Sequence, residues 1–90
     1  MQATVEISLY PLTESYEEII IDFLKKVRSA HPELRVDTNG LSTQIFGEYD
    51  ALMELMQSEI KEVLEENKAV FVFKLAKGER TPESVQNLLD

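Results

Sequence analysis

Apolar and polar residues alternate strictly over residues 3–10, near the start of the chain. The apolar set is Ala3, Val5, Ile7 and Leu9, and the polar set is Thr4, Glu6, Ser8 and Tyr10. A period of two predicts a strand that is buried on one face and open on the other. Pro11 is expected to end this strand, because proline lacks the N–H group that a ladder needs.

Two longer segments carry apolar residues at helical spacing. The first is predicted to start at Ser15, which forms a capping box with Glu18, and to run to about Ala30 before His31-Pro32. The residue before a proline is kept out of the α region, so the helix should stop there. The second helix is predicted from a cap at Asp50 to about Asn67. The two apolar stripes are Tyr16, Ile19, Ile20, Phe23, Leu24 and Val27, and Leu52, Met56, Ile60, Val63 and Leu64.

Residues 34–48, between the two helices, predict a β-hairpin. Asn39-Gly40 is the preferred pair for a two-residue type I′ turn, because both central residues of that turn need positive φ. Such a turn sets Thr38 opposite Leu41 and Val36 opposite Thr43. The residues expected to face the core are Leu34, Val36, Thr38, Leu41, Thr43 and Ile45. Those expected to face outward are Arg35, Asp37, Ser42, Gln44 and Phe46.

A final strand is predicted over residues 69–76 and is broken by Gly78. Thr81-Pro82 is typical of a helix start, with a cap followed by proline at the first helical position, and predicts a short C-terminal helix. The resulting order is β-α-β-β-α-β. With right-handed crossovers, this order predicts an α+β, ferredoxin-like sandwich: a four-stranded antiparallel sheet with two helices on one face. Residues 1–90 are expected to form a single domain.

The charge balance and the missing cysteine exclude several classes of function. Seventeen acidic residues against nine basic ones give a net charge of −8, and the basic residues are scattered, which argues against nucleic-acid binding. Without cysteine there is neither a disulfide framework nor a thiolate metal site. No apolar run approaches the ~20 residues of a membrane span, and the N-terminus lacks a signal-peptide pattern. We therefore expect a cytoplasmic protein with no membrane insertion.

Few residues suggest chemistry on their own. Glu6 on the first strand has two interpretations: an exposed ion pair with Lys74 on the neighbouring last strand, or recognition of a cation or a heterocyclic donor. The pattern alone favours the ion pair. Thr38 and Thr43 could equally be satisfied strand residues or line a pocket. His31 has no accompanying nucleophile motif, and the acidic run 59–66 lacks the spacing of a calcium loop. We therefore predict neither a catalytic nor a metal site.

Two segments carry a resemblance to a known family: residues 6–12 (EISLYPL) and residues 38–50 (TNGLSTQIFGEYD). Together they resemble the YkoF-like family of thiamine/hydroxymethylpyrimidine-binding domains and, more distantly, the MTH1187-like group. The resemblance extends over nearly the whole chain. It implies a domain that binds thiamine or its pyrimidine part as a ligand, without a cofactor and without catalysis. The ligand-site residues that it implies are Glu6, Ser8, Tyr10, Asn39, Ser42, Thr43 and Phe46.

The resemblance and the predicted sheet both favour self-assembly. Longer members of the family carry two such domains, so a single domain is expected to form a homodimer or homotetramer. The sheet face without helices would expose Tyr10, Phe46, Val70 and Val72, an apolar patch that a second copy could cover. The competing hypothesis is an oligomeric regulatory or interaction module of the same fold that needs no ligand. An enzyme with Glu6 as its base is a third and weaker one.

Overall fold

The computed structural model describes residues 1–89 and has the predicted order of elements. Its strands and helices are β1 (Gln2–Pro11), α1 (Tyr16–Ala30), β2 (Arg35–Thr38), β3 (Thr43–Glu48), α2 (Tyr49–Glu66), β4 (Ala69–Lys77) and α3 (Pro82–Leu89). The four strands form one antiparallel sheet in the order β2-β3-β1-β4. The α+β sandwich with a short C-terminal helix is thereby confirmed.

The core lies between the sheet and the helix pair α1 and α2. The alternation of β1 is confirmed, since its odd-numbered residues from Ala3 to Leu9 are all buried. The helices contribute the buried residues Phe23, Val27, Leu52, Leu55, Met56 and Val63. The ring of Phe23 also packs against Phe71 of β4, with 5.3 Å between the ring centroids. Leu64, which belongs to the predicted stripe of α2, is instead about half exposed, while Leu55 takes a place in the core.

The side-chain capping predicted for α1 and α2 is wrong, although α1 does begin directly after Ser15. Ser15 precedes α1, but its side chain makes no capping hydrogen bond and lies 3.2 Å from the hydroxyl of Thr13 instead. At α2, Glu48 provides the cap in place of Asp50: its Oε2 accepts hydrogen bonds from the backbone N–H groups of Asp50 (2.7 Å) and Ala51 (3.3 Å). Because Glu48 is the last residue of β3, strand and helix follow each other without a loop.

The predicted two-residue turn is also wrong. Thr38 pairs with Thr43 and Val36 with Ile45, so the loop has four residues, 39–42, and neither Asn39 nor Gly40 has positive φ. The side chain of Asn39 closes this loop by accepting hydrogen bonds from the N–H groups of Leu41 (2.8 Å) and Ser42 (3.1 Å). This Asx-type closure competes with the type I′ turn.

The register error of two residues leaves the predicted faces of the hairpin largely correct. Side chains alternate with a period of two, so a shift by two residues keeps each strand residue on its face. Thr43 and Ile45 are buried toward the helices, as predicted. Leu41 is the exception, because it lies in the loop and is 91% exposed instead of facing the core.

Phe46 is the main departure on the sheet face opposite the helices, which we call the open face. It was expected to be exposed, yet it is only 2% exposed. The guanidinium carbon of Arg35 lies 5.5 Å from the centre of its ring, an arrangement that allows a cation–π contact. Arg35 also donates hydrogen bonds to Glu83 of α3, at 3.1 and 3.2 Å, and to Asp37 at 2.8 Å.

The C-terminal segment reaches the open face through Thr4. The Thr4 hydroxyl donates to the carbonyl of Gly78 at 2.8 Å and accepts from the N–H of Arg80 at 2.9 Å. Gly78 has φ of +92°, a conformation that favours glycine, and it turns the chain after β4. Thr81 then caps α3 as predicted, accepting from the N–H of Ser84 at 3.2 Å. The open face is thus partly closed at the end where Phe46 lies.

Leu52 tests the packing between helix and sheet. It is fully buried, so Leu52→Ala should lower the free energy of unfolding by about 2–5 kcal/mol through lost burial and a residual cavity. Urea denaturation measures this change. Leu41→Ala, the same substitution at an exposed loop position, serves as the control and should leave the midpoint nearly unchanged. Equal effects of the two substitutions would contradict the assigned core.

The Arg35–Glu83 contact should make the docking of α3 sensitive to acid. The hydrogen bond from Arg35 lowers the pKa of Glu83 below its ordinary value of 4.5. The stabilising contribution is therefore fully present above that ordinary value and is lost as the pH falls through the lowered pKa. Amide chemical shifts of residues 82–89, followed by NMR from neutral pH downward, should report this release. In Glu83→Gln the transition should be absent; a transition that persists unchanged there would assign it to another group.

Candidate functional site

A notch lies beside β1 where that strand extends past its neighbour β3. Pairing between β1 and β3 ends at Ile7 and Thr43, whereas pairing between β1 and β4 continues to Pro11 and Ala69. The stretch from Ser8 to Tyr10 therefore has a strand on one side only. On the other side stand the loop 39–42 and helix α1, and together they enclose a cavity of about 170 Å³. We call this cavity the notch.

The notch has one apolar wall and one polar wall. Ile20, Phe23 and Leu24 of α1 form the apolar wall. The polar wall consists of Ser8 and Tyr10 from β1 together with residues 38–43, which bring hydroxyl groups, the Asn39 amide and exposed loop backbone. This combination of apolar surface with a few polar groups is typical of small-molecule sites.

The main chain of Leu9 adds a donor and an acceptor to the notch. Along an antiparallel strand, successive residues direct their N–H and C=O groups to opposite sides. Met1 bonds toward the β3 side, through Tyr49, and Gln2 toward the β4 side, through Gly78. The odd-numbered residues of β1 therefore face β3. Leu9 is the next of these after Ile7, and no β3 residue stands opposite it.

Glu6 lies next to the notch, on the open face. Its Oε2 accepts a hydrogen bond from the hydroxyl of Ser42 at 3.2 Å, and its Oε1 lies 3.6 Å from the ammonium group of Lys74. The predicted ion pair with Lys74 is therefore confirmed. Glu6 does not line the notch; it lies in a separate shallow depression of about 240 Å³ with Thr4, Gln44, Lys74, Ala76 and Arg80. Ser42 lines the notch and donates its hydrogen bond to Glu6, so it links the notch to this depression.

The remaining hydroxyl groups differ in how available they are. Thr43 is buried and its hydroxyl lies 3.1 Å from that of Thr38, so each can satisfy the other. Ser8 makes only a long contact of 3.5 Å with the carbonyl of Leu41. Tyr10 is 53% exposed at the mouth of the notch. Ser8 and Tyr10 are thus the side chains of this set most open to a ligand.

The structure brings together most of the residues that the resemblance implied. Ser8, Tyr10, Asn39, Ser42 and Thr43 line the notch, and Glu6 is joined to it through Ser42. Their role in ligand binding stays a prediction.

Phe46 is separated from this group. It is buried under Arg35 at the other end of β3 and does not line the notch, and its role in ligand binding stays a prediction.

Sequence reasoning missed the apolar wall of the notch and the backbone of Leu9. Ile20, Phe23 and Leu24 were interpreted only as a buried helix stripe. The signal for Leu9 is the unequal length of the paired strands, ten residues in β1 against six in β3, which leaves part of β1 without a neighbour. The hairpin expected from Asn39-Gly40 would have extended β3 and closed that space.

Other kinds of site find no support within residues 1–89. No group of three or more histidine or acidic side chains is arranged to hold a metal ion in this part of the chain. His31 contacts Glu33, with 3.1 Å between Nδ1 and Oε1, and has no nucleophile beside it. None of the described helices is long and apolar enough to cross a membrane.

Comparisons with solved structures find close matches of fold at low sequence identity. A candidate thiamine biosynthesis/salvage protein from Thermotoga maritima matches with a TM-score of 0.81 at 17% identity, over all of both chains. Protein SP2199 from Streptococcus pneumoniae matches with a TM-score of 0.78 at 20% identity, over 99% of this chain and 98% of its own. A DUF77 domain from Bacillus cereus has a TM-score of 0.71 at 16% identity, over 90% of this chain and 80% of its own.

Sequence comparison adds nothing to these matches, because no family model and no curated protein matches the chain significantly. Identities of this size establish the architecture and leave the ligand open. The chain therefore shares the complete ferredoxin-like fold of these proteins, among them a candidate thiamine biosynthesis/salvage protein.

Proposed function

We propose that this protein binds thiamine through its hydroxymethylpyrimidine part, without catalysis, in transport, salvage or sensing. The observation that carries the proposal is the notch, where five of the seven residues implied by the resemblance to the YkoF-like family meet an unpaired stretch of β1. The fold shared with a candidate thiamine biosynthesis/salvage protein supports it. Membership of the YkoF-like family is part of the same proposal.

The volume of the notch favours binding of the pyrimidine ring alone over binding of the whole two-ring thiamine molecule. Sites for drug-sized ligands commonly measure about 300–1,000 Å³, and the notch measures about 170 Å³. A single substituted pyrimidine fits this space better than the whole of thiamine. In our proposal the pyrimidine enters the notch and the thiazolium ring stays outside, on the side of the open face.

The hydrogen-bonding groups of the notch complement an aminopyrimidine. The exocyclic amino group is a donor and the adjacent ring nitrogen is an acceptor, so the edge of the ring presents the two side by side. Leu9 offers a C=O and an N–H group on its free side, which is the matching pair. Ser8 and the loop backbone are available for the hydroxymethyl group, and Leu24 with Phe23 provides apolar surface for the ring.

The charges around the notch favour a cation outside it. Glu6 lies beside the notch, held by Ser42, and the whole chain has a net charge of −8. A thiazolium ring near Glu6 would gain from that carboxylate and would compete with Lys74, whose side chain is 83% exposed and free to move away. Tyr10, half exposed at the mouth, is placed to contact either ring.

A binding role without catalysis agrees with the side chains around the notch. The aliphatic hydroxyl groups that line the notch are those of Ser8, Thr38, Ser42 and Thr43, and none of them has a histidine or lysine base as its hydrogen-bond partner among the described residues. Nucleophilic catalysis by a hydroxyl needs such a base. Glu6 is engaged by Ser42 and Lys74, contacts that agree with a role in recognition.

The Glu6→Gln variant should distinguish the contribution of the thiazolium ring to affinity from that of the pyrimidine ring. Isothermal titration calorimetry measures both affinities. Removing the charge should weaken thiamine binding by about two- to fivefold, as expected for a partly exposed charge pair. Binding of neutral hydroxymethylpyrimidine should change little, because glutamine can still accept from Ser42. Glu54→Gln, at an exposed position of α2, removes the same charge away from the notch and serves as the control. Absence of binding by both compounds at millimolar concentration would refute the proposed function and favour a ligand-independent module.

The amide of Leu9 should report on the pyrimidine directly. In a ¹⁵N-labelled sample, adding hydroxymethylpyrimidine should shift the Leu9 N–H signal strongly, because a new hydrogen bond forms at that group. The amide of Leu64, on α2 outside the notch, should move little. Binding detected by calorimetry with no change at Leu9 would place the ligand elsewhere.

A further inference from the structure

The shallow depression beside the notch, which we call the depression, contains charges of both signs. Glu6 lies on its notch side, where Ser42 donates to it, and Lys74 of β4 stands next to Glu6 in the same row of the sheet. Arg80, from the segment that follows β4, lines the depression at the row of Thr4. Of these three charges the proposed function uses only Glu6, so the two cations have no role in it.

Thr4 positions Arg80 at the depression. The Thr4 hydroxyl accepts from the backbone N–H of Arg80 at 2.9 Å and donates to the carbonyl of Gly78 at 2.8 Å, so it fixes the chain on both sides of residue 79. The Nε of Arg80 donates to the carbonyl of Lys77 at 3.3 Å, and within residues 1–89 no acceptor engages its two terminal nitrogens. The guanidinium therefore keeps paired N–H donors, the arrangement that matches the oxygens of a phosphate group.

Lys74 is held only loosely. Its ammonium group lies 3.6 Å from Oε1 of Glu6, longer than a hydrogen bond, and its side chain is 83% exposed. Gln44, opposite Glu6 on β3, adds an amide group to the same depression. Two cations and an amide donor suit the oxygens of an anion, but the carboxylate of Glu6 repels an anion that arrives alone. The occupant that fits all these groups carries a cation beside its anion.

We propose that the depression binds the phosphate group of thiamine monophosphate, while the thiazolium ring lies over Glu6 and the pyrimidine occupies the notch. This inference rests on the proposed function and adds to it the chemical class of the ligand, a phosphate ester that also carries a ring cation. The thiazolium replaces Lys74 as the partner of Glu6. The released ammonium group and the guanidinium of Arg80 then bind the phosphate.

The spacing along β1 follows the order of groups in this ligand. Ser8, Glu6 and Thr4 mark successive rows of the open face, about 6.6 Å apart. Ser8 lines the notch, Glu6 is one row away from it, and Arg80, bonded to Thr4, is two rows away. In thiamine monophosphate a methylene bridge separates the two rings, and the hydroxyethyl arm carries the phosphate away from the thiazolium. The pyrimidine, the thiazolium and the phosphate can therefore contact three successive rows.

The same spacing predicts discrimination between phosphate esters. Hydroxymethylpyrimidine phosphate carries its phosphate one carbon from the pyrimidine ring. With that ring in the notch, its phosphate lies nearer to Glu6 than to Arg80, and it brings no cation to offset the carboxylate. The net charge of −8 further opposes an uncompensated anion. We therefore expect a gain in affinity from the phosphate of thiamine monophosphate and none from that of hydroxymethylpyrimidine phosphate.

Isothermal titration calorimetry at low ionic strength, with thiamine and thiamine monophosphate, tests the phosphate site. Thiamine monophosphate should bind about two- to tenfold more tightly, as expected for two exposed charge pairs, and added salt should reduce this gain. Arg80→Gln should remove most of the gain and leave thiamine affinity unchanged, because the substituted residue keeps its backbone hydrogen bond to Thr4. Arg28→Gln, at an exposed position of α1, removes the same charge on the helix side and serves as the control.

Lys74→Gln should act on the two ligands in opposite directions. Without the competing ammonium group, Glu6 is available to the thiazolium, so thiamine should bind slightly more tightly than to the parent chain. The phosphate loses one of its two cations, so the gain of thiamine monophosphate over thiamine should shrink. A merely structural role of Lys74 would change both affinities in the same direction.

The outcomes separate this inference from the proposed function. Binding of thiamine with no gain for its monophosphate overturns the phosphate site and leaves the proposed function standing. A gain that Arg80→Gln and Arg28→Gln reduce equally also overturns the phosphate site, and so does an equal gain for hydroxymethylpyrimidine phosphate over hydroxymethylpyrimidine. Absence of binding by thiamine and by hydroxymethylpyrimidine refutes the proposed function and this inference together.

Discussion

The backbone pairing of β1 is the constraint on which the rest of the structure depends. This strand lies between β3 and β4, its odd-numbered side chains form the floor of the core, and its main chain fixes the register of both neighbours. It is longer than β3, so pairing on that side stops while pairing with β4 continues. The same strand therefore organises the core through its side chains and creates the notch through its unpaired backbone. Leu9 has both roles at once.

The open face is divided by the return of the chain after β4. Gly78, Arg80 and Glu83 hold the last segment over one end of the sheet through Thr4 and Arg35. These contacts bury Phe46 and leave the other end, with Tyr10 and Val72, accessible. The hydrogen bonds from Arg35 to Glu83 and then Asp37 raise the pKa of the guanidinium further, so its charge is constant at every accessible pH. The acid sensitivity of this contact therefore comes from Glu83, whose pKa the hydrogen bond from Arg35 lowers.

The two parts of the proposed ligand site lie at different positions along β1. The notch lies past the end of β3, where β1 has no neighbour on that side, and the depression lies where β1 is paired with both β3 and β4. Backbone groups and apolar surface form the first, and charged side chains form the second. Recognition of the pyrimidine and of the charged groups can therefore be disturbed separately, and this separation makes the functional proposals distinguishable by mutation.

The sequence alone determined the order of elements, the buried face of β1, the ends of α1, the α3 cap and the Glu6–Lys74 pair. These features depend on local periodicity, on proline and glycine, and on the register between adjacent strands, all of which are expressed within short segments. The tertiary structure decided the features that depend on competition between distant groups. Asn39 closes its loop with its side chain instead of forming the predicted turn, so the notch stays open. Phe46 is buried because Arg35, held by Glu83 of α3, lies across its ring. No spacing rule within a strand could indicate either outcome, because both depend on which groups compete for the same hydrogen bonds or surface once the chain has folded.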